Sequence, residues 1–306
     1  ETDEAPEAGM KYFILGSVTS AVGLYGISLL YLWNGNLQVS DLAENWRAME
    51  GIDGLALVGI AFLMVTIGFK VSAAPFHIAA PDAYTGATSP VAGVTAKETN
   101  AMGFVFLLRV LVTIAMPESG PAFWVPVVGI LAAVTMTWGN FGALSSNNPK
   151  RMLAYSSVAH AGYLLAAVAA LGLNQARAGD HVISELIVAA MLFHLTVLVF
   201  FKLGSFLVLS MLESEGRGSK IEDLYGLAKR EPLLATALFV FMLALAGVPP
   251  LAGFLSKLLL VSGIVDATIH TSMSFDDGIL ATLQSLHWVV YLGLLVFLNS
   301  ALSLYY

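Results

Sequence analysis

From Gly54 to Phe69 the chain runs sixteen residues without a charge, and stretches of this kind recur along its whole length. About 20 apolar residues at helical rise cross the ~30 Å hydrocarbon core of a bilayer. In that medium only helices and closed barrels satisfy their own backbone polar groups. Composition points the same way: 58% of the 306 residues are hydrophobic and 11% charged, against about 25% charged in a soluble domain. Too little polar surface remains to face water. The expected fold class is an all-α polytopic membrane protein.

Eight spans are expected, near Lys11–Trp33, Leu55–Phe76, Pro90–Met116, Ala122–Leu144, Met152–Leu173, Leu186–Leu212, Leu233–Val265 and Gly278–Tyr306. The longest polar loops between them are Asn34–Gly54 and Glu213–Glu231. Eight crossings put Lys11, Lys150, Arg151, Arg217, Lys220, Lys229 and Arg230 on one side, and only Arg47 and Arg177 on the other, with much of the acid. Lys and Arg in short loops mark the cytoplasmic face, so both ends of this chain are expected on that side. The chain begins ETDEAPEAG, without Met, and stops at SALSLYY within an apolar run, with no signal peptide at either end. An internal piece of a longer protein is expected. The net charge of −7 argues against nucleic acid or an anionic-lipid patch as partner. The lack of cysteine excludes disulfides, Fe–S clusters and thiolate metal sites in this chain.

Eight ionisable side chains lie too deep to belong to loops: Lys70, Lys97, Glu98, Arg109, His160, His194, Lys202 and Lys257. A charge at mid-membrane costs about 2.5–3.5 kcal/mol on insertion scales, so it persists where it meets protein or water. Five of the eight are Lys or Arg and one is an acid, an excess of buried bases. Lysine is the base whose proton affinity moves most readily on burial. A row of lysines with histidines between them can pass protons. Lys97 and Arg109 can instead snorkel to an interface, and for Arg109 that or a structural ion pair is the preferred reading. His160 serves equally well as a helix-packing hydrogen bonder. Lys202 and Lys257 are out of snorkelling range or beside a helix break, and function is preferred for both.

Two spans carry prolines at depth. One reads "KVSAAPFHIAAPD" with Pro75 and Pro81, the other "LAGVPPLAGFLSK" with Pro249 and Pro250. A proline removes a backbone donor and leaves carbonyls unpaired. Such breaks survive only in protein or along a wet cavity, and paired broken helices point to a transporter's ion path. Ordinary proline kinks are the plain alternative, which a lysine near each break disfavours. Lys70 precedes Pro75 by five residues and Lys257 follows Pro250 by seven, so residues alone do not demonstrate a repeat. Lys70 itself is read as an interior base.

The segments "EAGMKYFILGSVTSAVGLYGISLLY", "GFKVSAAPFHIAAPDAYTGATSPVAG", "NNPKRMLAYSSVAHAGYLL", "DLYGLAKREPLLA" and "LALAGVPPLAGFLSK" together resemble the subunit N family of bacterial-type NADH:quinone oxidoreductase, respiratory complex I. The wider family takes in Mrp-type antiporter and membrane-bound hydrogenase subunits. The resemblance implies an antiporter-like fold of two inverted five-helix repeats, each with a discontinuous helix. Residues 1–116 would be part of the first repeat and 117–306 the second. It places Glu7 and Lys11 on the acid and base that open the family's sixth helix. Lys70, His77 and Asp82 fall on its broken seventh helix, His160 on its "SSxxHxGY" segment, and Lys257 on its broken twelfth. The glutamate that would pair with Lys70 belongs to a helix absent from this sequence. The family's eighth-helix lysine falls on Asn100, with Lys97 one turn away. Lys202 matches the larger antiporter-like subunits better than subunit N.

The expected function is a proton-translocating subunit with no cofactor of its own, set among other antiporter-like and small membrane subunits in the inner (cytoplasmic) membrane. Lys70, His77, Lys97 or Asn100, His160, Lys202 and Lys257 would form the relay, supported by Glu7, Lys11, Asp82 and His194. Two rivals stand beside it: a cation/proton antiporter or hydrogenase subunit, and a structural subunit whose lysines only lock helices together.

Overall fold

The structure, a computed structural model, describes residues 4–49, 51, 53–117, 122–176, 181–269 and 288–306, the side chains of residues 4, 95–99, 175, 176 and 269 excepted. Every regular element among them is helical. Helix α1 (Glu4–Asn34) crosses and returns as α3 (Gly54–Lys70). The Asp53 carboxylate caps α3, accepting from the N–H groups of Leu55 at 2.7 Å and Ala56 at 3.2 Å. The chain then breaks, makes a short 3₁₀ turn at Phe76–Ile78 and continues as α4 (Ala79–Gly86). α5 (Ser89–Leu108) runs into a π-helical turn at Arg109–Ile114. α6 (Trp124–Leu144), α7 (Pro149–Ala176) and α8 (His181–Ser214) are unbroken. After the short α9 (Leu227–Arg230), α10 (Pro232–Ala246) and α11 (Ala252–Ile269) form the second broken span. α12 (Val289–Leu302) is the last helix described.

Among the described residues α1, α6, α7 and α8 are each long and apolar enough to cross a membrane unaided. The other expected spans correspond to α3 with α4, α5 with its π turn, α10 with α11, and α12; positions 278–287 of the eighth lie outside the described residues. The loop expected at Asn34–Gly54 holds a helix of its own, α2 (Val39–Arg47). Its Leu42, Ala43 and Trp46 share one buried face, and Trp46 meets Trp33 and Phe123 at ring distances of 6.1 and 5.9 Å. Helical periodicity in a polar segment is the reason it folds there.

α7 is the axis of the bundle. It is buried along its membrane-spanning length and packs against α6, α8, α11 and α12. Its sequence is dominated by Ala, Gly, Ser and Leu, which lets neighbouring backbones approach, the usual device where lipid supplies no hydrophobic drive. A side chain at Gly162 would strike the backbone of Met136 on α6.

Candidate functional site

The two breaks are built alike. α3 ends with Ser72 in the left-handed region at φ 56°, with bonds from Ala73 N–H to Gly68 O at 2.8 Å and from Ser72 N–H to Phe69 O at 3.2 Å. α10 ends with Gly247 at φ 87°, with bonds from Val248 N–H to Leu243 O at 3.0 Å and from Gly247 N–H to Ala244 O at 3.1 Å. Both are Schellman caps, which reuse two of the carbonyls a helix end leaves over. Pro75 and Pro250 each follow three residues after the left-handed residue, and both X-Pro bonds are cis. In the first break the Ala74 N–H is taken up by Thr135 Oγ1 of α6 at 3.0 Å. In the second, Ala246 O accepts from Lys257 Nζ at 2.8 Å, with Ser303 Oγ 3.2 Å from the same oxygen. Gly253 lets α11 start against α10, since a side chain there would run into Ala244 O.

Between the breaks, polar side chains thread the buried seam of α7, α8, α11 and α12. Lys202 Nζ donates to Ser157 Oγ at 2.6 Å and Leu153 O at 3.2 Å. One turn along α7, His160 Nδ1 lies 3.1 Å from His194 Nε2. His194 Nδ1 lies 2.9 Å from Ser256 Oγ, and that hydroxyl donates to Gly253 O at 2.9 Å. The Tyr163 ring stands 5.3 Å from the His160 ring, and Lys257 Nζ lies 5.6 Å from its centre. Tyr163 Oη then accepts from Asn140 Nδ2 at 3.2 Å, and Asn140 Oδ1 accepts from Tyr306 Oη at 2.7 Å. Lys202, His160, His194, Ser256 and Lys257 are all 5% exposed or less. A buried polar group is tolerated when it is bonded: His160, His194 and Ser256 bond in series, while the two lysines are held by Ser157 and Leu153 O and by Ala246 O.

The sequence-predicted residues thus divide. His160, His194, Lys202 and Lys257 come together in that seam. Asn100 approaches it: it lines, with Ser157 and Lys202, a cavity of about 20 Å³, room for about one water. Asn100 Oδ1 is buried with no hydrogen-bond partner among the described residues. Lys97 lies one turn before it on α5, and its side chain is outside the described residues. His77 is buried in the first break, 5.7 Å ring to ring from Trp138, and its Nδ1 has no partner among the described residues.

Glu7, Lys11 and Asp82 form a separate group nearer the surface. Lys11 Nζ lies 2.6 Å from Glu7 and 3.4 Å from Asp82, whose other oxygen lies 3.2 Å from Arg151. Asp82 therefore ties α1 and α7 to α4. Beside it, Lys150 bonds Glu213 at 2.7 Å and Ala87 O at 2.8 Å, joining α7, α8 and the end of α4.

Lys70 departs from the expectation. It is exposed on this fold, not interior. α3 packs on α1 and α5, and Lys70, in its last turn, has its Cβ beside Gly103 of α5. Ser157, Ser256, Ser303, Tyr163 and Asn140 were not singled out in the sequence. Two of them carried a signal: Ser157 precedes His160 by one turn, and Ser256 adjoins Lys257.

The fold and this buried line of bases define a class, and comparison with known proteins agrees. The family model for "NADH:quinone oxidoreductase/Mrp antiporter, TM" matches residues 1–283. The chain belongs to that family of membrane proteins. It is 40% identical to NADH-quinone oxidoreductase subunit N of Heliobacterium modesticaldum over 300 residues, 98% of this chain and 56% of that protein. A chain of respiratory complex I from Thermus thermophilus superposes with a TM-score of 0.72 at 32% identity, covering 100% of this chain and 58% of that one. A chain of the archaeal membrane-bound sulfane sulfur reductase superposes at 0.79 and 25% identity, covering 100% and 56%. The chain spans about half the length of the curated relatives it matches.

Proposed function

We propose that this chain forms the larger part of a proton-translocating subunit of NADH:quinone oxidoreductase, set in the inner membrane with both its ends on the cytoplasmic side. It carries no redox centre, and electron transfer belongs to other subunits. The observation that carries this reading is the buried line Lys202–Ser157, His160–His194–Ser256 and Lys257–Ala246 O, running through an otherwise apolar core. Such a line has little structural reason to exist where hydrocarbon would pack as well. The subunit N relatives supply the setting. Its neighbours are other antiporter-like and small membrane subunits.

The hydrogen-bond partners support one direction of transfer. Ser256 donates to Gly253 O, so its oxygen is free to accept from His194 Nδ1–H. His194 Nε2 is then the acceptor and His160 Nδ1–H the donor. A proton arriving at His160 Nε2 is matched by passage of the Nδ1 proton to His194 Nε2. Lys202 stands on the entry side of this pair and Lys257 on the exit side. Asn100, through the adjoining cavity, or Lys97 links it to the first half, and His77 to Lys70. Lys70 is the switching base, paired at rest with a glutamate on a helix that covers its exposed face. The matched Schellman caps support two inverted repeats, residues 1–116 and 117–306.

In the assembled complex in sealed vesicles, Lys70→Ala and Lys257→Ala are expected to abolish NADH-driven acidification while the complex still assembles. Pumping that stays unchanged with normal assembly refutes the role. Sodium-dependent proton flux would move the chain to the antiporter class.

A further inference from the structure

Beyond the small cavity at Asn100 and Lys202, α5 and α8 diverge. The groove between them has a volume of about 1280 Å³, beyond the roughly 300–1,000 Å³ of an ordinary small-molecule site. Met102, Val105, Val188 and Leu192 line its walls, with Arg109 on one wall and Glu185 on the other. Arg109 lies five residues before the end of its π turn at Ile114, and Glu185 four after the start of α8 at His181. Both ends lie on the same side of the membrane, so the two charges sit at nearly equal depth, roughly 6–8 Å inside the helix ends. Both are exposed, and neither lies within 4 Å of an opposite charge among the described residues, including each other. Two opposite charges face one apolar groove and leave the space between them open.

The groove does not cross the bundle. From Asn100 toward the start of α5 the two helices close on each other: Asn100 and Lys202 share the small cavity, and Gly93 abuts Phe206. On α5 the lining runs from Thr113 to Ala101, about 18 Å. That is close to one leaflet and short of the ~30 Å a spanning helix needs.

We infer that this groove holds one zwitterionic phospholipid with a primary ammonium headgroup, phosphatidylethanolamine, its acyl chains along α5 and α8. Arg109 takes the phosphate in the bidentate geometry guanidinium favours. Glu185 takes the ammonium. The match is of charge to charge: a zwitterion satisfies both walls, whereas phosphatidylglycerol, with the same phosphate but an uncharged glycerol headgroup, leaves Glu185 without a cation. The groove adjoins the small cavity at Asn100 and Lys202, sharing Ala101, Leu195 and Val199 with it, but the two charges that would hold the headgroup, Arg109 and Glu185, take no part in the proton line.

The test reconstitutes the full complex into vesicles of phosphatidylethanolamine and phosphatidylglycerol at equal amounts. It is then extracted in mild detergent, and the retained lipid is counted by native mass spectrometry. Wild type should keep one phosphatidylethanolamine on this subunit. Arg109→Ala should lower its retention about tenfold, the effect of about one charge-assisted contact. Glu185→Gln, which keeps shape and folding, should abolish the preference over phosphatidylglycerol while some phospholipid stays. Equal retention in all three proteins, or a preference for phosphatidylglycerol in wild type, overturns the proposal. So does efficient cross-linking of Val105→Cys to another polypeptide segment, which would show that protein fills the groove.

Discussion

His160 Nδ1 and His194 Nε2 face each other at 3.1 Å across the α7–α8 seam, both rings buried, with Ser256 closing the far end. Two neutral imidazoles in this arrangement make one hydrogen bond, donated by His160 Nδ1–H when His194 Nδ1–H bonds Ser256. Glutamine at either position keeps an amide that can donate and accept but binds no proton near neutral pH. His160→Gln and His194→Gln are therefore expected to leave assembly intact and to stop NADH-driven proton uptake. His194→Ala should in addition strand His160 and Ser256 and lower stability by about 1–3 kcal/mol, read as a lower unfolding midpoint in detergent. Wild-type pumping in both glutamine variants would reduce the pair to a packing device.

Gly247 is required twice over at the second break. Its φ of 87° lies in the region an L-residue enters at a cost of about 1–2 kcal/mol. A Cβ there would also come within 3.0 Å of Lys257 Cδ, pushing the ammonium from Ala246 O. Gly247→Ala should accordingly lose both stability and pumping. Gly253→Ala, whose Cβ meets the backbone oxygen of Ala244, is expected to prevent assembly outright, as judged on blue-native gels. Normal assembly of Gly253→Ala would mean that α10 and α11 slide apart easily.

The sequence made the membrane class and both breaks legible because each rests on a strong local rule: long uncharged runs, and prolines where lipid offers no hydrogen bonds. His160, Lys202 and Lys257 were legible because an ionisable group in such a run has few places to go. The hydroxyls that receive them were less so: Ser157 and Ser256 are marked only by standing one turn before His160 and beside Lys257, and are otherwise like any small residue at a helix contact. The surroundings of Lys70 are not legible in the same way: α1 and α5 pack on other faces of α3 and Lys70 is exposed among the described helices, and what covers its face is not set by the local sequence. The amphipathic α2 was missed because its apolar face is only three residues wide.

Lys150 and Glu213 form a second kind of pair, partly shielded, with side chains 10% and 28% exposed. Lys150 also holds Ala87 O at the end of α4, a favourable place for a cation. Lys150→Met and Glu213→Gln should each destabilise the protein, and the double variant by less than their sum. A double-mutant cycle on unfolding midpoints is expected to give a coupling of about 0.5–3 kcal/mol. Additive effects would mean the two act separately on α4 and α8.

Lys202 separates function from folding most sharply. The residue is 3% exposed and its ammonium is bonded to Ser157 Oγ and Leu153 O, so much of what it gains is set against the cost of taking a charge out of water. Methionine has nearly the same length and needs no hydrogen bonds. Lys202→Met should leave the unfolding midpoint of the complex unchanged or slightly higher, because well-packed apolar groups often match a buried charge in stability. The same substitution removes the proton-binding group next to the cavity that Asn100 lines, and proton pumping should fall to background. A structural lysine predicts the opposite pattern, lower stability with pumping retained per assembled complex. Measuring midpoint and pumping on one preparation decides between the two.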